Sequence, residues 1–315
     1  MSKIAFIYPG QGAQKAGMGA DFYENSEIAR YIFDQAGEEL DLDMKELCFE
    51  ENDRLDLTEY TQAAMVTTCL AMTRVAESKG LKADITAGLS LGEYPAIAAA
   101  GGMNDMDAIR LVRKRGILMQ NTVPAGEGAM CAIISMAAEE IEKVIEPIAD
   151  VSVANYNCPG QIVITGKTDA VEEAAAKLKE AGARRTIMLN VSGPFHSQML
   201  VPAGEKLAEE LEHTRFHELR IPYVTNVTAE KVTDIRETPG LLTTQISSPV
   251  RWMQSMERMI ADGVDTFVEI GPGKTLEGFL RKIDRSVKVF HISQWEDVDK
   301  VCIELADSGK MMEEA

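Results

Sequence analysis

The stretch DITAGLSLGEY, residues Asp84 to Tyr94, sets a serine between two glycines where a short extended run meets an alanine-rich segment. A strand that ends at Gly88 and turns at once into a helix is the junction of a parallel α/β sheet, in which helices connect successive strands. Glycine on either side of Ser90 lets strand and helix approach more closely than side chains would allow. Such a turn lifts the serine hydroxyl off the sheet and aims the helix start at it, with the Leu91 N–H where an oxyanion would form. The plain alternative is a Ser90 that only caps its helix, worth about 1 kcal/mol.

Upstream, KIAFIY (residues 3–8) reads as a buried strand followed by the glycine-rich PGQGAQKAGMG. A dinucleotide fingerprint is excluded, because its third glycine would fall at Lys15, and no phosphate-binding Gly-Lys-Ser/Thr follows. A loop this rich in glycine can instead turn backbone N–H groups toward the serine. Helical periodicity runs from Asp21 to about Lys79 and stops at Gly80; two further helices are expected at 91–100 and 105–120. From Gly126 the order changes to βαββαβ, a ferredoxin-like unit. The expected organisation is therefore a large α/β subdomain, 1–125 and 191–315, with a small subdomain inserted at 126–190. After SGPFHS the α/β pattern resumes: a helix to about Glu212, strand YVTN, helices around 238–262, strand TFVEI, a helix opened by GPG, strand VKVFHI and a C-terminal helix.

A serine nucleophile needs a base, and the chain has 4 histidines. His213 and His217 have a metal-compatible spacing but no third ligand, and read as surface residues. His291 lies within a strand. His196 follows Gly193 and Pro194 at a turn just before a helix, the most site-like setting of the four. In the helix at 105–120, the apolar stripe Ala108, Leu111, Val112, Leu118 and Met119 has Arg115 in its middle. A guanidinium there needs an anion, either an internal Asp or Glu or a carboxylate on a ligand.

With 315 residues, 45% hydrophobic and 26% charged, the composition is that of a globular protein. A net charge of −18 argues against nucleic acid and anionic membranes as partners. No apolar run approaches membrane-spanning length, no signal-peptide core precedes Pro9, and 5 scattered cysteines suit a reducing compartment, so a cytoplasmic monomer is expected. An acidic partner would need local basic surface; Arg113-Lys114-Arg115 and the group Arg281, Lys282, Arg285 and Lys288 are the densest runs.

Taken in order, GQGAQ, TEYTQ, GLSLGEY, RLVRKRGILMQ, ANYN, GPFHS, YVTNVTA, QISSPVRW and VEIGPG resemble the malonyl-CoA:acyl-carrier-protein transacylase family, which loads malonyl groups for fatty acid synthesis. The resemblance runs from about residue 3 to residue 291. It implies an α/β-hydrolase-like large subdomain, with Ser90 as nucleophile, His196 as base, and amides of Gln11 and Leu91 as oxyanion hole. It further implies Arg115 as the carboxylate-binding residue, Gln245 orienting the histidine through its main-chain carbonyl, and Asn155 and Asn157 near the cleft. Malonyl-CoA and acyl carrier protein are the implied partners, in a ping-pong cycle with no metal or other cofactor. Two positions depart from the family. The usual histidine before the serine is Leu89, and Pro95 falls inside the expected elbow helix, where a kink is expected. A polyketide-pathway acyltransferase, a serine thioesterase using His291, and a non-catalytic carrier-binding homologue are the alternatives.

Overall fold

The computed structural model describes residues 3–191 and 193–307. Its strands are β1 (Lys3–Tyr8), β2 (Ile85–Gly88), β3 (Gly128–Ile134), β4 (Val151–Cys158), β5 (Gln161–Lys167), β6 (Arg185–Met188), β7 (Tyr223–Val224), β8 (Lys231–Val232), β9 (Val264–Ile270) and β10 (Lys288–Ile292). β1 sends Ile4, Phe6 and Tyr8 into one apolar cluster and Ala5 and Ile7 into another. An unbroken apolar run is what a strand covered on both faces requires.

Six strands form one sheet in the order β10-β9-β1-β2-β7-β8, parallel throughout except for β8. β1 and β2 are in register from Ala5↔Ile85 to Tyr8↔Gly88, so both strands finish together at the carboxyl edge. Loops leaving that edge are where open α/β sheets build sites. The helix Thr58–Ser78 is buried on nearly all sides, and Asp105–Thr122 packs along it.

The second sheet is antiparallel, in the order β4-β5-β3-β6, with helices Ala138–Ile145 and Thr168–Glu180 packed on it. This is the βαββαβ order expected, and the strand order is that of a ferredoxin-like unit. The helix Thr168–Glu180 buries Ala170, Val171, Ala174, Ala175 and Leu178, a spacing that keeps one stripe on the sheet. β4 is tied to the large sheet's side of the molecule by Val250, whose N–H donates to the Ala154 carbonyl at 2.8 Å and whose carbonyl accepts from Tyr156 at 2.9 Å.

Two local expectations change. The elbow does not open an α-helix directly: Ser90–Gly92 forms a 3₁₀ turn and the α-helix runs Glu93–Ala99. Pro95 is then the third residue of that helix, within the first turn, where N–H groups have no intrahelical acceptor, so no kink is needed. The strand read as YVTN pairs only over Tyr223–Val224, because Thr225 and Asn226 turn into the interior.

Candidate active site

Ser90 sits at φ 55°, in the left-handed region, and so does His196 at φ 61°. Holding two ordinary residues there costs ~1–3 kcal/mol each, a strain that clusters at functional positions. The elbow is as tight as its glycines suggested: a Cβ on Gly88 would lie 1.8 Å from the Gly92 carbonyl oxygen, and one on Gly92 would lie 2.5 Å from that of Tyr8.

His196, 3% exposed, is brought to the elbow from the turn before helix Val201–Glu212. Its Nδ1 donates to the main-chain carbonyls of Gln245 at 3.0 Å and Ser248 at 3.1 Å. Two acceptors on Nδ1 fix the tautomer and leave a lone pair on Nε2. The Ser90 hydroxyl donates to that nitrogen at 2.7 Å. Burial, and secondarily the positive charge of Arg115, push the His196 pKa down to about 4, while the two carbonyls resist the shift. The imidazole is therefore neutral at physiological pH and ready to accept a proton.

Arg115, 1% exposed, is buried in its helix stripe as the periodicity demanded. Its Nη1 donates to Gln62 Oε1 at 2.8 Å, and its Nη2 to Gln245 Oε1 and to Ser90 Oγ, each at 3.0 Å. Its Nε has no partner among the described residues. Neutral oxygens thus surround the guanidinium, and no described carboxylate forms an ion pair with it. The acid whose charge bears on it is Glu93, fully buried, whose pKa burial raises to about 7 against the opposing hydrogen bonds of Gln245, Thr225 and Asn226. Burial also lowers the pKa of Arg115 itself. An internal acid partner, one of the two readings of the stripe, is not what holds Arg115.

Around Ser90 opens a cleft of about 690 Å³ between the two sheets. The β1 loop with Gln11, the elbow with Leu89 and Leu91, and Asn155, Asn157, Phe195 and Phe279 line it. Leu89 faces the cleft and packs with the cluster containing Leu276 and Phe279, so it presents an apolar wall. The glycine loop approaches the elbow so closely that a Cβ on Gly10 would lie 2.8 Å from the Leu89 carbonyl oxygen. β4 breaks register between Val153 and Asn155 and again between Tyr156 and Cys158, bulges that aim Asn155 and Asn157 into the cleft. Asn157 Oδ1 has no partner among the described residues, leaving it open to a donor on a ligand.

The other histidines lie elsewhere. His213 ends helix Val201–Glu212 and His217 follows in the next loop. His291 does meet an acid, Glu277, at 3.5 Å, but on the edge strand β10, while the Ser90 hydroxyl is taken by His196. Among the described residues no cluster of three or more His, Cys, Asp and Glu side chains is placed to hold a metal ion. No described helix is long and apolar enough to cross a membrane. The basic run at 113–115 is not a patch: Arg113 pairs with Glu59 at 2.8 Å, Lys114 with Glu210 at 3.4 Å, and Arg115 is interior. Four participants escaped the sequence reading. Gln62 and Ser248 touch Arg115 and His196, and Glu93 and Asn226 lie beneath the elbow.

The acyl transferase domain family matches residues 5–295. The chain is 45% identical over 304 residues to malonyl CoA-acyl carrier protein transacylase of Bacillus subtilis (strain 168), an alignment spanning 95% of this chain and 96% of that protein. It superposes on the crystal structure of malonyl CoA-acyl carrier protein transacylase from Clostridium perfringens with a TM-score of 0.94 at 42% identity, covering 98% of each chain. A complex of a type II PKS acyl-carrier protein with its malonyl-transacylase is similar at a TM-score of 0.93 and 36% identity, covering 96% of this chain and 100% of that one.

Proposed function

The chain belongs to the acyl transferase family and, within it, to the malonyl CoA-acyl carrier protein transacylases, and from that membership we propose that Ser90 carries malonyl from coenzyme A to the thiol of acyl carrier protein in fatty acid synthesis. One observation carries the assignment of residues: Ser90 Oγ lies 2.7 Å from the free nitrogen of a neutral histidine and 3.0 Å from a buried guanidinium that no described carboxylate meets in an ion pair. The first feature makes a nucleophile, and the second makes a receptor for an acyl group that ends in a carboxylate.

In the first half-reaction His196 takes the Ser90 proton as Oγ bonds to the thioester carbon. The carbonyl electrons move onto oxygen, where the amides of Gln11 and Leu91 receive them. Collapse of the tetrahedral adduct breaks the C–S bond, and protonated His196 returns the proton to the departing thiolate. In the second half-reaction the carrier's thiol gives its proton to His196 and attacks malonyl-Ser90, and the serine leaves with that proton. Gln245 orients the base through its carbonyl, while Arg115 grips the malonyl carboxylate. Asn155 and Asn157 offer amides to the substrate from the small-sheet side. On this reading 126–190 is a small subdomain closing one wall of the cleft, and 1–125 with 191–315 form the catalytic one.

Carrier docking falls to the second basic group: Arg281, Lys282 and Arg285 line a hollow of about 550 Å³ with Asp284. The helix that supplies Arg281 and Lys282, Thr275–Ile283, begins at the cleft, where Thr275, Leu276 and Phe279 line the wall; Arg285 follows just after its end. All 5 cysteines are free thiols, which supports a reducing compartment and a cytoplasmic location. Intact-mass measurement after incubation with malonyl-CoA tests the reading. A malonyl adduct present in the wild type and missing in Ser90→Ala is expected, and an adduct independent of Ser90 would refute it.

A further inference from the structure

The main-chain pairing of β2 with β7 stops at Ala87↔Val224, just short of the elbow. Beyond it the backbone cannot continue the ladder, because Ser90 turns left-handed, a conformation disfavoured for residues with a Cβ. Asn226, 1% exposed, continues the pairing with its side chain. Its Oδ1 accepts the Ser90 N–H at 2.7 Å and its Nδ2 donates to the Gly88 carbonyl at 2.7 Å. Both partners are backbone groups of fixed polarity, so the amide can face only one way, and one acceptor with one donor must stand side by side.

Asn226 is held in turn. Glu93 Oε2 accepts the Asn226 N–H at 3.1 Å and a Gln245 Nε2 hydrogen at 2.7 Å. Gln245, so turned, also donates to the Ser90 carbonyl at 3.0 Å, and its own carbonyl receives the His196 Nδ1 hydrogen. One buried carboxyl oxygen therefore joins the strut under the nucleophile to the residue that aims the base.

We propose that Asn226 and Glu93 are positioning residues of acyl transfer: Asn226 staples Gly88 to Ser90 so that the hydroxyl stays on the His196 lone pair, and Glu93 keeps Asn226 and Gln245 in step. The proposal rests on Ser90 as nucleophile and His196 as base. Neither residue reaches substrate; each acts through the pair that does.

The test is single-turnover malonyl-Ser90 formation with malonyl-CoA, together with steady-state kcat, KM and thermal melting, on the full chain. Asn226→Asp keeps shape and acceptor but puts an oxygen against the Gly88 carbonyl. Acylation is expected to slow about 10- to 100-fold with KM changed less than about 3-fold, the scale of one buried unmatched hydrogen bond. On lowering the pH the new carboxyl, whose burial favours its neutral form, gains a proton it can donate to Gly88, so rate returns. Asn226→Ala, which adds no charge and covers any folding failure of the first variant, shows the loss without the return. Both variants share the neighbouring titratable groups Glu93 and His196, so the difference between them isolates the donor. Glu93→Gln retains an acceptor oxygen and stays within about 3-fold of wild type, whereas Glu93→Leu falls with Asn226→Ala. Wild-type acylation in folded Asn226→Ala, or equal losses in the two Glu93 variants, would overturn the proposal. A malonyl adduct that survives Ser90→Ala would instead remove the reading beneath it.

Discussion

Replacing Arg115 by alanine should convert a selective site into a permissive one. The guanidinium is 1% exposed and spends its donors on Gln62 Oε1, Gln245 Oε1 and Ser90 Oγ, with Nε unused. None of those acceptors is charged, so on the proposed reading a malonyl carboxylate brings the guanidinium a hydrogen-bonded counter-charge. Removing one member of a buried, hydrogen-bonded ion pair costs ~3–5 kcal/mol. At 1.36 kcal/mol per decade, kcat/KM for malonyl-CoA falls about 10²- to 10³-fold or somewhat more. Acetyl-CoA has no carboxylate to lose and no longer has to leave a cation buried beside it, so its kcat/KM holds or rises. The assay is competition between malonyl-CoA and acetyl-CoA for transfer, read as a ratio of products. Thermal melting runs alongside, because the variant also orphans the Gln62 and Gln245 oxygens at about 1–3 kcal/mol each. An unchanged malonyl-to-acetyl ratio in folded protein would refute the reasoning.

Further outcomes follow from electrostatics. With His196 held at about 4, the acid limb of kcat/KM lies well below the usual histidine range, and Arg115→Ala, which removes a cationic cause of that depression, moves the limb to higher pH. The same groups shape stability: His196 loses stabilisation as pH falls from 6.5 toward 4, while Glu93, raised from 4.5 to about 7, loses it as pH rises between those values. The two slopes oppose one another, so denaturant unfolding of Glu93→Gln should show a steeper acid loss than wild type, and parallel curves would count against the burial of that charge. For the carrier, a chain at −18 repels an acidic partner at long range, so transfer should quicken with added salt until local pairs at Arg281, Lys282 and Arg285 are screened. Reversing those three charges slows the carrier half-reaction and spares malonyl-Ser90 formation; a monotonic loss with salt would show that attraction dominates at every range.

What was legible in the sequence is what local physics writes there. The all-apolar β1, the glycines around Ser90 and the βαββαβ unit follow from periodicity and from backbone contacts too close for a Cβ. Arg115 announced itself by standing in the wrong place on a helix, and His196 by the turn at Pro194. Asn226 could not announce itself, since its partners lie more than 130 positions away and its segment reads as ordinary strand. Ser248 acts through a carbonyl that any residue would supply. Gln62 lies inside a recognised string, yet nothing in that string says its amide oxygen meets a guanidinium. Pro95 reads as a kink from sequence only because the turn at Ser90–Gly92, which delays the α-helix from 91 to Glu93, carries no local signal.

Two carbonyls, rather than a carboxylate, stand behind the imidazole. That choice bears on how long the acyl-enzyme lives. A base at about 4 draws a proton reluctantly from water, a very weak acid, and far more readily from a thiol at about 8.5. On the proposed reading, a mild base should make hydrolysis the slow exit and thiol capture the fast one, so the intermediate would wait for its acceptor by virtue of what its histidine lacks.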